Sequence, residues 1–238
     1  MANGKDRQMC ATRENSAHAV TRSTLRQQIA GALRDEVLAG RLHPGQEFTV
    51  KEIAEQYGVS ATPVREALVD LSAQGLLDSV QHRGFRVHEF SVADYRAMVE
   101  ARGLIADAMF SGLGHRTPGD TGRYLAVRRR GEEAARAASA GDLNVLIGYD
   151  LRFWQELCAL FGNPYLSDFA YRLRLQSWVC SVPYLRRQDD LRGRLWTGHG
   201  ALIDALAHQR YPEAQAIIAA YNADSLALIE ELAGTDAR

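Results

Sequence analysis

The sequence predicts a mainly α-helical protein in which an N-terminal winged helix-turn-helix precedes an all-α antiparallel helical bundle. Three patterns predict this fold: two short helical segments joined by a tight turn, a strand–turn–strand pattern directly after them, and helical periodicity alone in the rest of the chain. The 238 residues suffice for two compact domains. We expect a flexible N-terminal arm at 1–22, the winged domain at 23–90 and a six-helix domain at 91–234.

The composition is that of an ordinary soluble protein, with 46% hydrophobic and 24% charged residues. No run reaches the roughly 18 apolar residues that a membrane span needs, and residues 1–22 lack the apolar centre of a secretory signal. We therefore expect a cytoplasmic protein with no membrane partner. Cys10, Cys158 and Cys180 are widely spaced and belong to no paired motif, which favours reduced thiols.

Local signals mark the first two predicted helices. Residues 24–39 carry apolar side chains four positions apart, which predicts a supporting helix. Thr49, followed three residues later by Glu52, is the pattern of a capping box and predicts the start of a second helix. Gly58 supplies the left-handed residue that ends it.

A third helix is predicted almost immediately afterwards. Thr62 is a suitable cap, and Pro63 suits the first helical position, where a missing N–H costs nothing. One apolar face follows at helical spacing, formed by Val64, Ala67, Leu68 and Leu71. Two short helices joined by a tight glycine-containing turn form a helix-turn-helix, whose second helix usually enters the major groove of DNA.

The segment 80–87 predicts the wing, as a strand, a turn around Gly84 and a second strand. His82, Arg83 and Arg86 lie on or beside this wing, and residues 79–88 contain no acidic residue. Residues 1–90 as a whole carry 11 basic and 11 acidic residues. Attraction to DNA must therefore come from the arrangement of charge on one face.

The run from Glu52 to Leu68 resembles the DNA-binding domain of GntR-type bacterial transcription regulators. This resemblance implies a regulator that binds a double-stranded DNA operator, a short inverted repeat, as a homodimer. The candidate DNA-contacting residues are Lys51, Ser60, Ala61, Thr62, Pro63, Arg65, His82, Arg83 and Gly84.

Among these candidates, Arg65 is the best placed for a base contact because its planar fork can bond two acceptors of guanine at once. A salt bridge from Arg65 to Glu66 or Asp70 is the alternative interpretation. Lys51 stands where relatives use arginine for a backbone contact, and Ala61 departs from an arginine that relatives often carry, so one contact is lost.

Beyond residue 90 the periodicity predicts six helices, at about 91–113, 120–140, 142–162, 165–185, 190–209 and 212–234. Four of them place a polar residue on or at the edge of their apolar stripe: Arg102, Asp150, His199 and Asn222. Burial of such groups is costly unless they bond one another or a ligand. One interpretation is a structural network, with Asp150 paired to Arg102 or bonded to His199. The other is a small-molecule pocket.

The segments 150–154 and 162–166, together with His199, resemble the FadR subfamily, whose C-terminal FCD-type domain binds an effector and forms the dimer. A C-terminal domain of six helices, as predicted here, resembles the VanR-like group of this subfamily more than the group with seven. Many relatives bind a divalent metal there through one aspartate and three histidines. Asp150 and His199 match two of these positions, Trp154 occupies another, and Tyr221 or Asn222 the last. We therefore expect no tightly bound metal and no cofactor, with weak divalent binding at most.

The candidate effector-binding residues are Arg102, Asp150, Trp154, His199, Tyr221 and Asn222. Trp154 offers a flat apolar wall and Arg102 a partner for a carboxylate, which favours an organic acid or acyl-type effector. The function predicted is that of a DNA-binding repressor controlled by this effector. The alternatives are a metal-dependent regulator with a reduced ligand set, or a small-molecule-processing enzyme with a vestigial helix-turn-helix. No phosphate loop or nucleophile motif favours the enzyme.

Overall fold

A computed structural model describes residues 24–113, 122 and 124–236 of the chain. Within these ranges the chain forms nine α-helices and three strands. In chain order they are α1 Leu25–Leu38, β1 Glu47–Phe48, α2 Val50–Tyr57, α3 Ala61–Ala73, β2 Leu77–Val80, β3 Gly84–Val87, α4 Val92–Leu113, α5 Tyr124–Ala140, α6 Leu143–Ala159, α7 Pro164–Leu185, α8 His199–Ala207 and α9 Tyr211–Asp236. The predicted arm at 1–22 lies outside the described residues.

The first two helices begin with capping boxes. Thr49 accepts a hydrogen bond from the backbone of Glu52, whose side chain accepts one from the Thr49 backbone, as predicted. Thr24 and Gln27 form the same reciprocal pair at the start of α1. Each box thus satisfies two backbone N–H groups, that of the cap residue and that of the third helical residue. Helix α2 ends at Gly58, also as predicted.

Helix α3 begins two residues earlier than the sequence indicated. Its N-terminal cap is Ser60, so the prediction that Thr62 caps the helix is wrong, and Pro63 occupies the third helical position instead of the first. Proline is tolerated there because the first four N–H groups of a helix have no intrahelical partner. The predicted apolar face is completely buried: Val64, Ala67, Leu68 and Leu71 are at most 1% exposed.

The wing is a three-stranded antiparallel sheet in the order β1-β3-β2. Strand β1, which pairs Phe48 with Phe85, was not predicted because two residues are too few to show an alternating pattern. Gly84 has a φ of 115°, and a Cβ there would lie 2.4 Å from the Phe48 carbonyl oxygen. Only glycine fits the point where the wing folds back onto β1.

Six helices, α4 to α9, follow the wing in the part of the chain that the structure describes. The fifth of them is shorter than predicted: α8 begins at His199, and the expected start near residue 190 is wrong. Residues 190–198 form turns instead, in which Asp190 accepts the backbone N–H of Arg192 and Gly193 has a φ of 74°. The apolar residues of this segment imitate a helical stripe without forming one.

One continuous hydrophobic core joins the two parts of the chain. Leu33 of α1 and Leu71 of α3 belong to the same buried cluster as Val179 of α7 and Ile229 of α9. A second cluster, which includes Phe153, fills another region of the bundle. The winged domain is therefore packed directly against α7. None of the described helices is long and apolar enough to cross a membrane.

Candidate functional site

A groove of about 610 Å³ lies between the start of α2, the start of α3 and the wing. Its lining consists of Thr49, Val50, Lys51, Ala54, Glu55, Gly58, Val59, Ala61, Arg65, His82, Arg83 and Gly84. Six of the nine candidate DNA-contacting residues are in this lining. The other three are at the start of α3, where Ser60 and Thr62 are exposed and Pro63 is half-buried. The structure thus places six of the nine candidates around one groove and the other three at the start of α3.

The basic side chains of this groove form no strong ion pair with the described residues. Arg65 is exposed and forms no ion pair with any residue in the described ranges. The alternative pairing with Asp70 is absent because Asp70 accepts hydrogen bonds of 2.6 and 3.0 Å from Arg26. Lys51 lies 3.7 Å from Glu55, and both side chains are largely exposed, so this pair is weak.

Arg86, which the sequence placed on or beside the wing, does not line the groove. It lies 3.5 Å from Asp78, the carboxylate of which also bonds His88 at 2.9 Å. The groove therefore owes its positive charge to Lys51, Arg65 and Arg83, with Glu55 as its acidic member.

The polar cluster inside the bundle is centred on Asp150 of α6, which is 2% exposed. Its Oδ1 accepts the indole N–H of Trp154 at 2.9 Å, and its Oδ2 accepts that of Trp178 at 2.7 Å. His199 Nε2 lies 3.3 Å from Oδ1. An ionised carboxylate only accepts hydrogen bonds, so this ring nitrogen carries the proton. Three donors from three helices thus hold one buried carboxylate.

Arg102 of α4 is 8% exposed and faces the interior, as the periodicity predicted. It does not pair with Asp150: its nearest hydrogen-bond acceptor is Ser225 Oγ at 3.4 Å, a long contact. Its Nε has no hydrogen-bond partner among the described residues. Of the two structural pairings considered from the sequence, the structure contains the one with His199 and lacks the one with Arg102.

Arg174 of α7 is a second buried guanidinium, 5% exposed, which the sequence reasoning missed. It donates a hydrogen bond to the Tyr221 hydroxyl. Its central carbon lies 4.1 Å from the ring centre of Trp154 and 5.0 Å from that of Tyr221, in cation–π geometry. Arg102 lies 5.6 Å from the same Tyr221 ring. Two cations therefore share one aromatic residue.

The charges of the cluster set the ionisation of its members. Burial favours the neutral acid, but the positive charge of Arg174 and the hydrogen bonds from His199 and Trp178 outweigh it and lower the pKa of Asp150. Burial and the neighbouring Arg174 both lower the pKa of Arg102, and burial raises the pKa of Tyr221. A guanidinium stays protonated at neutral pH even so. Two cations thus face one buried carboxylate.

A cavity of about 400 Å³ adjoins the cluster. Four of the six candidate effector-binding residues line it: Arg102, Asp150, His199 and Tyr221. The other two, Trp154 and Asn222, line a smaller apolar cavity of about 40 Å³. Arg102 and Arg174 line both cavities, so the two guanidinium groups stand between a larger cavity of mixed polar and apolar lining and a small apolar one.

Aromatic rings form a wall of the cluster. Trp196 lies 4.4 Å from Tyr221 and 4.3 Å from His199, centre to centre, and Trp154 stacks 6.0 Å from Tyr221. Trp178 and Trp196 were not predicted. Trp196 belongs to the turns before α8, where the sequence indicated a helix.

The donor set does not fit the metal site that the FadR resemblance implies. Both oxygens of Asp150 already accept indole N–H groups, and Trp154 stands where a metal-binding relative has an imidazole. Within the described ranges, no three histidine, cysteine or acidic side chains gather as metal ligands require. Low metal affinity stays a prediction.

A winged helix-turn-helix with a basic groove, joined to a helical bundle with a cavity beside a buried polar cluster, defines a transcriptional regulator of the winged-helix class. Residues 19–87 match the family model for bacterial regulatory proteins of the gntR family, and residues 97–224 match the FCD domain. The chain belongs to the GntR family, in the group whose second domain is an FCD domain.

Relatives and solved structures agree with this assignment. A probable D-xylose utilization operon transcriptional repressor of Paenarthrobacter nicotinovorans is 33% identical over 79% of this chain and 80% of its own length. The structure of Escherichia coli McbR/YncC covers 88% of this chain and 99% of its own, with 22% identity and a TM-score of 0.71. A GntR regulator from Rhodococcus sp. RHA1 covers 87% and 97%, with 22% identity and a TM-score of 0.68. At this identity the two structures show the fold alone.

Proposed function

We propose that this protein is a cytoplasmic, homodimeric repressor that binds an inverted-repeat operator and is controlled by a small organic anion in the bundle cavity. The observation that carries the effector assignment is the pair of buried guanidinium groups, Arg102 and Arg174, which line the same cavity of about 400 Å³ as the buried carboxylate of Asp150. Repression is favoured because the relative from P. nicotinovorans is named as a repressor.

For DNA recognition, we assign base contacts to the start of α3 and backbone contacts to Lys51 and the wing. The exposed guanidinium of Arg65 supports the assignment, since it lines the groove and forms no ion pair with any residue in the described ranges. A two-fold dimer would present two such helices to successive half-sites of an inverted repeat. A gel shift with DNA from upstream of its own gene tests this. No shift above that of random DNA would contradict it.

For the effector, the charge balance favours a monoanion. Among the buried charged groups of the cavity, Arg102 and Arg174 outnumber Asp150. The less buried Arg194 and Asp224 of its lining add one charge of each sign. The net positive charge is costly to bury unless an anion neutralises it. A carboxylate suits the planar fork of arginine and would accept the unpaired Nε–H of Arg102. The apolar cavity beside the two arginines would take a short alkyl group.

Three serines of the cavity favour hydroxyl groups on the ligand. Ser177, Ser181 and Ser225 each donate to a backbone carbonyl of their own helix, at 2.6, 3.2 and 3.0 Å. Their remaining lone pairs are acceptors that suit hydroxyl donors on a ligand. We therefore favour a small hydroxycarboxylate over an acid without hydroxyl groups.

Thermal shift and calorimetry with sodium lactate, gluconate, benzoate and octanoate test this proposal, with Zn²⁺ and Ni²⁺ as tests of the metal-dependent alternative. We expect a hydroxy acid to bind most tightly, and Arg174→Met to weaken it by about tenfold to a hundredfold, which corresponds to the loss of one charge-assisted hydrogen bond. Arg172→Met is the matched control, because Arg172 lies on the same helix but is exposed and outside the cavity. Equal losses in both variants, or binding of metal alone, would contradict the proposal.

A further inference from the structure

Helix α7 contacts the effector cavity on one side and the winged domain on the other. Arg174 and Trp178 line the cavity. Gln176 lies between them in sequence, and residues two apart on an α-helix point about 200° apart around its axis. The Gln176 side chain accordingly leaves the cavity and reaches the winged domain, where its Nε2 donates to the Gln74 carbonyl at 2.8 Å.

Gln74 is the C-terminal cap of α3, the helix that carries Arg65. The last carbonyl groups of a helix have no partner within it, so the Gln176 amide satisfies one of them from another domain. The approach is close: a Cβ on Gly75 would lie 2.5 Å from Gln176 Nε2, and Gly75 has a φ of 72°. The end of the recognition helix is therefore fitted to this one side chain of α7.

A second contact of the same kind joins α7 to α1. Arg186, the C-terminal cap of α7, donates to the Leu38 carbonyl at 3.0 Å and to Asn144 Oδ1 at 2.6 Å. Leu38 is the last residue of α1. Two helix ends of the winged domain thus rest on α7, while Trp178 and Arg174 of the same helix bond Asp150 and Tyr221.

We infer that α7 couples the cavity to the DNA-binding domain, with the Gln176 amide as the contact that reports cavity occupancy to α3. A helix moves as a rigid element, so an anion that draws Arg174 or displaces Trp178 shifts Gln176 with them. The inference rests on the proposed function for the identity of the signal. Gln176 itself touches neither the cavity nor the DNA-facing groove; it is a positioning residue.

The test replaces Gln176 with methionine, which keeps the length of the side chain and removes its hydrogen bonds. The DNA is a duplex selected from a random pool by the unaltered protein, and the ligand is whichever of lactate, gluconate, benzoate or octanoate binds best. In the unaltered protein we expect this acid to change operator affinity by about tenfold. In Gln176→Met, acid affinity stays within about twofold and the change in operator affinity falls below about threefold.

Gln215→Met is the matched control, since Gln215 bonds Asp107 at 3.3 Å within the bundle and should leave the response intact. An undiminished response in Gln176→Met, or a response lost equally in both variants, overturns the inference.

A double-mutant cycle tests the coupling without any ligand, so the inference is decided even if none of the four acids binds and the effector proposal fails. Trp178→Phe removes the indole donor to Asp150 and should change operator affinity by about threefold or more when Gln176 is present. The same substitution should have no such effect in the Gln176→Met background. No change in either background, or the same change in both, refutes the role of Gln176.

Discussion

The substitution Arg65→Ala separates recognition from stability most cleanly. Arg65 is exposed, lines the groove and has no ion pair with any described residue, whereas its nearest helical alternative, Asp70, is held by Arg26. Removing it therefore breaks no ion pair among the residues that the structure describes. We expect unfolding free energy to change by less than about 0.5 kcal/mol and Tm by less than about 2 °C.

The effect on DNA should be much larger. A bidentate contact to guanine discriminates by about 1 to 3 kcal/mol, and a two-fold dimer makes it twice, which gives about 2 to 6 kcal/mol or roughly 30-fold to 20,000-fold in the ratio of specific to random DNA. Affinity for random DNA should fall much less, because it rests mainly on phosphate contacts.

Fluorescence anisotropy with operator and scrambled duplexes, at fixed salt, measures both quantities. Arg96→Ala is the control, because Arg96 is an exposed arginine of the bundle that pairs with Glu230. If Arg65→Ala keeps the specificity ratio of the unaltered protein, or loses it together with thermal stability, the assignment of Arg65 to a base contact is refuted.

Three other substitutions test the groove, the buried carboxylate and the packing of the bundle. Lys51→Ala should weaken all DNA sequences alike and reduce the slope of log affinity against log salt by about 1 per monomer, which a salt titration measures. Because the folded-state pKa of Asp150 is lowered, its contribution to stability is present above its ordinary pKa and is lost as pH falls through the lowered value. Asp150→Asn should therefore remove this acid-side part of the pH dependence of the unfolding free energy. Denaturant titrations below about pH 4 measure it, and a profile equal to that of the unaltered protein would count against the prediction. Gly131→Ala should destabilise the bundle by about 1 to 3 kcal/mol, since its Cβ would lie 2.9 Å from His199 and 3.0 Å from Phe153; a Tm equal to that of the unaltered protein would show that these side chains shift without cost.

Local rules predicted the winged domain well because its signals are local. The capping box at Thr49 and Glu52 and the burial of Leu68 and Leu71 depend on neighbours three or four residues away, and both are as predicted. The cap of α3 was misassigned because Ser60 and Thr62 are both good caps, and the side chains alone do not decide between them. Ser60 in fact makes no side-chain cap hydrogen bond.

The interior cluster was predicted only in part, and Arg174 shows why. The sequence reasoning searched for polar residues on an apolar stripe, which requires a helix with one buried and one exposed face. Helix α7 is covered on two sides, by the bundle and by the winged domain, so its buried residues run round the helix and include both Leu173 and Leu175. Without a stripe, an inward arginine does not stand out.

Arg102 was found by its stripe, but its partner was not. A sequence pattern gives the direction of a side chain relative to its own helix, whereas a pairing depends on the distance between two helices. Asp150 receives its donors from Trp154, Trp178 and His199, and Arg102 instead makes one long hydrogen bond, to Ser225. The unpaired Nε–H group of Arg102 results from the packing of the helices, which the periodicity of one helix cannot predict.

The same unpaired Nε–H group of Arg102 sets the magnitude of the proposed effect on DNA affinity. An effector changes DNA affinity only by the difference between its affinities for the two arrangements of the winged domains. A tenfold change requires about 1.4 kcal/mol, and one charge-assisted hydrogen bond contributes about 1.5 to 3 kcal/mol. Arg174 and Gln176 are on the same helix, so a shift of α7 moves both. A carboxylate that reaches both Arg102 and Arg174 in only one position of α7 would gain one charge-assisted hydrogen bond there, which is enough for the tenfold change. The proposed control of DNA binding requires only this difference, and no large rearrangement of the bundle.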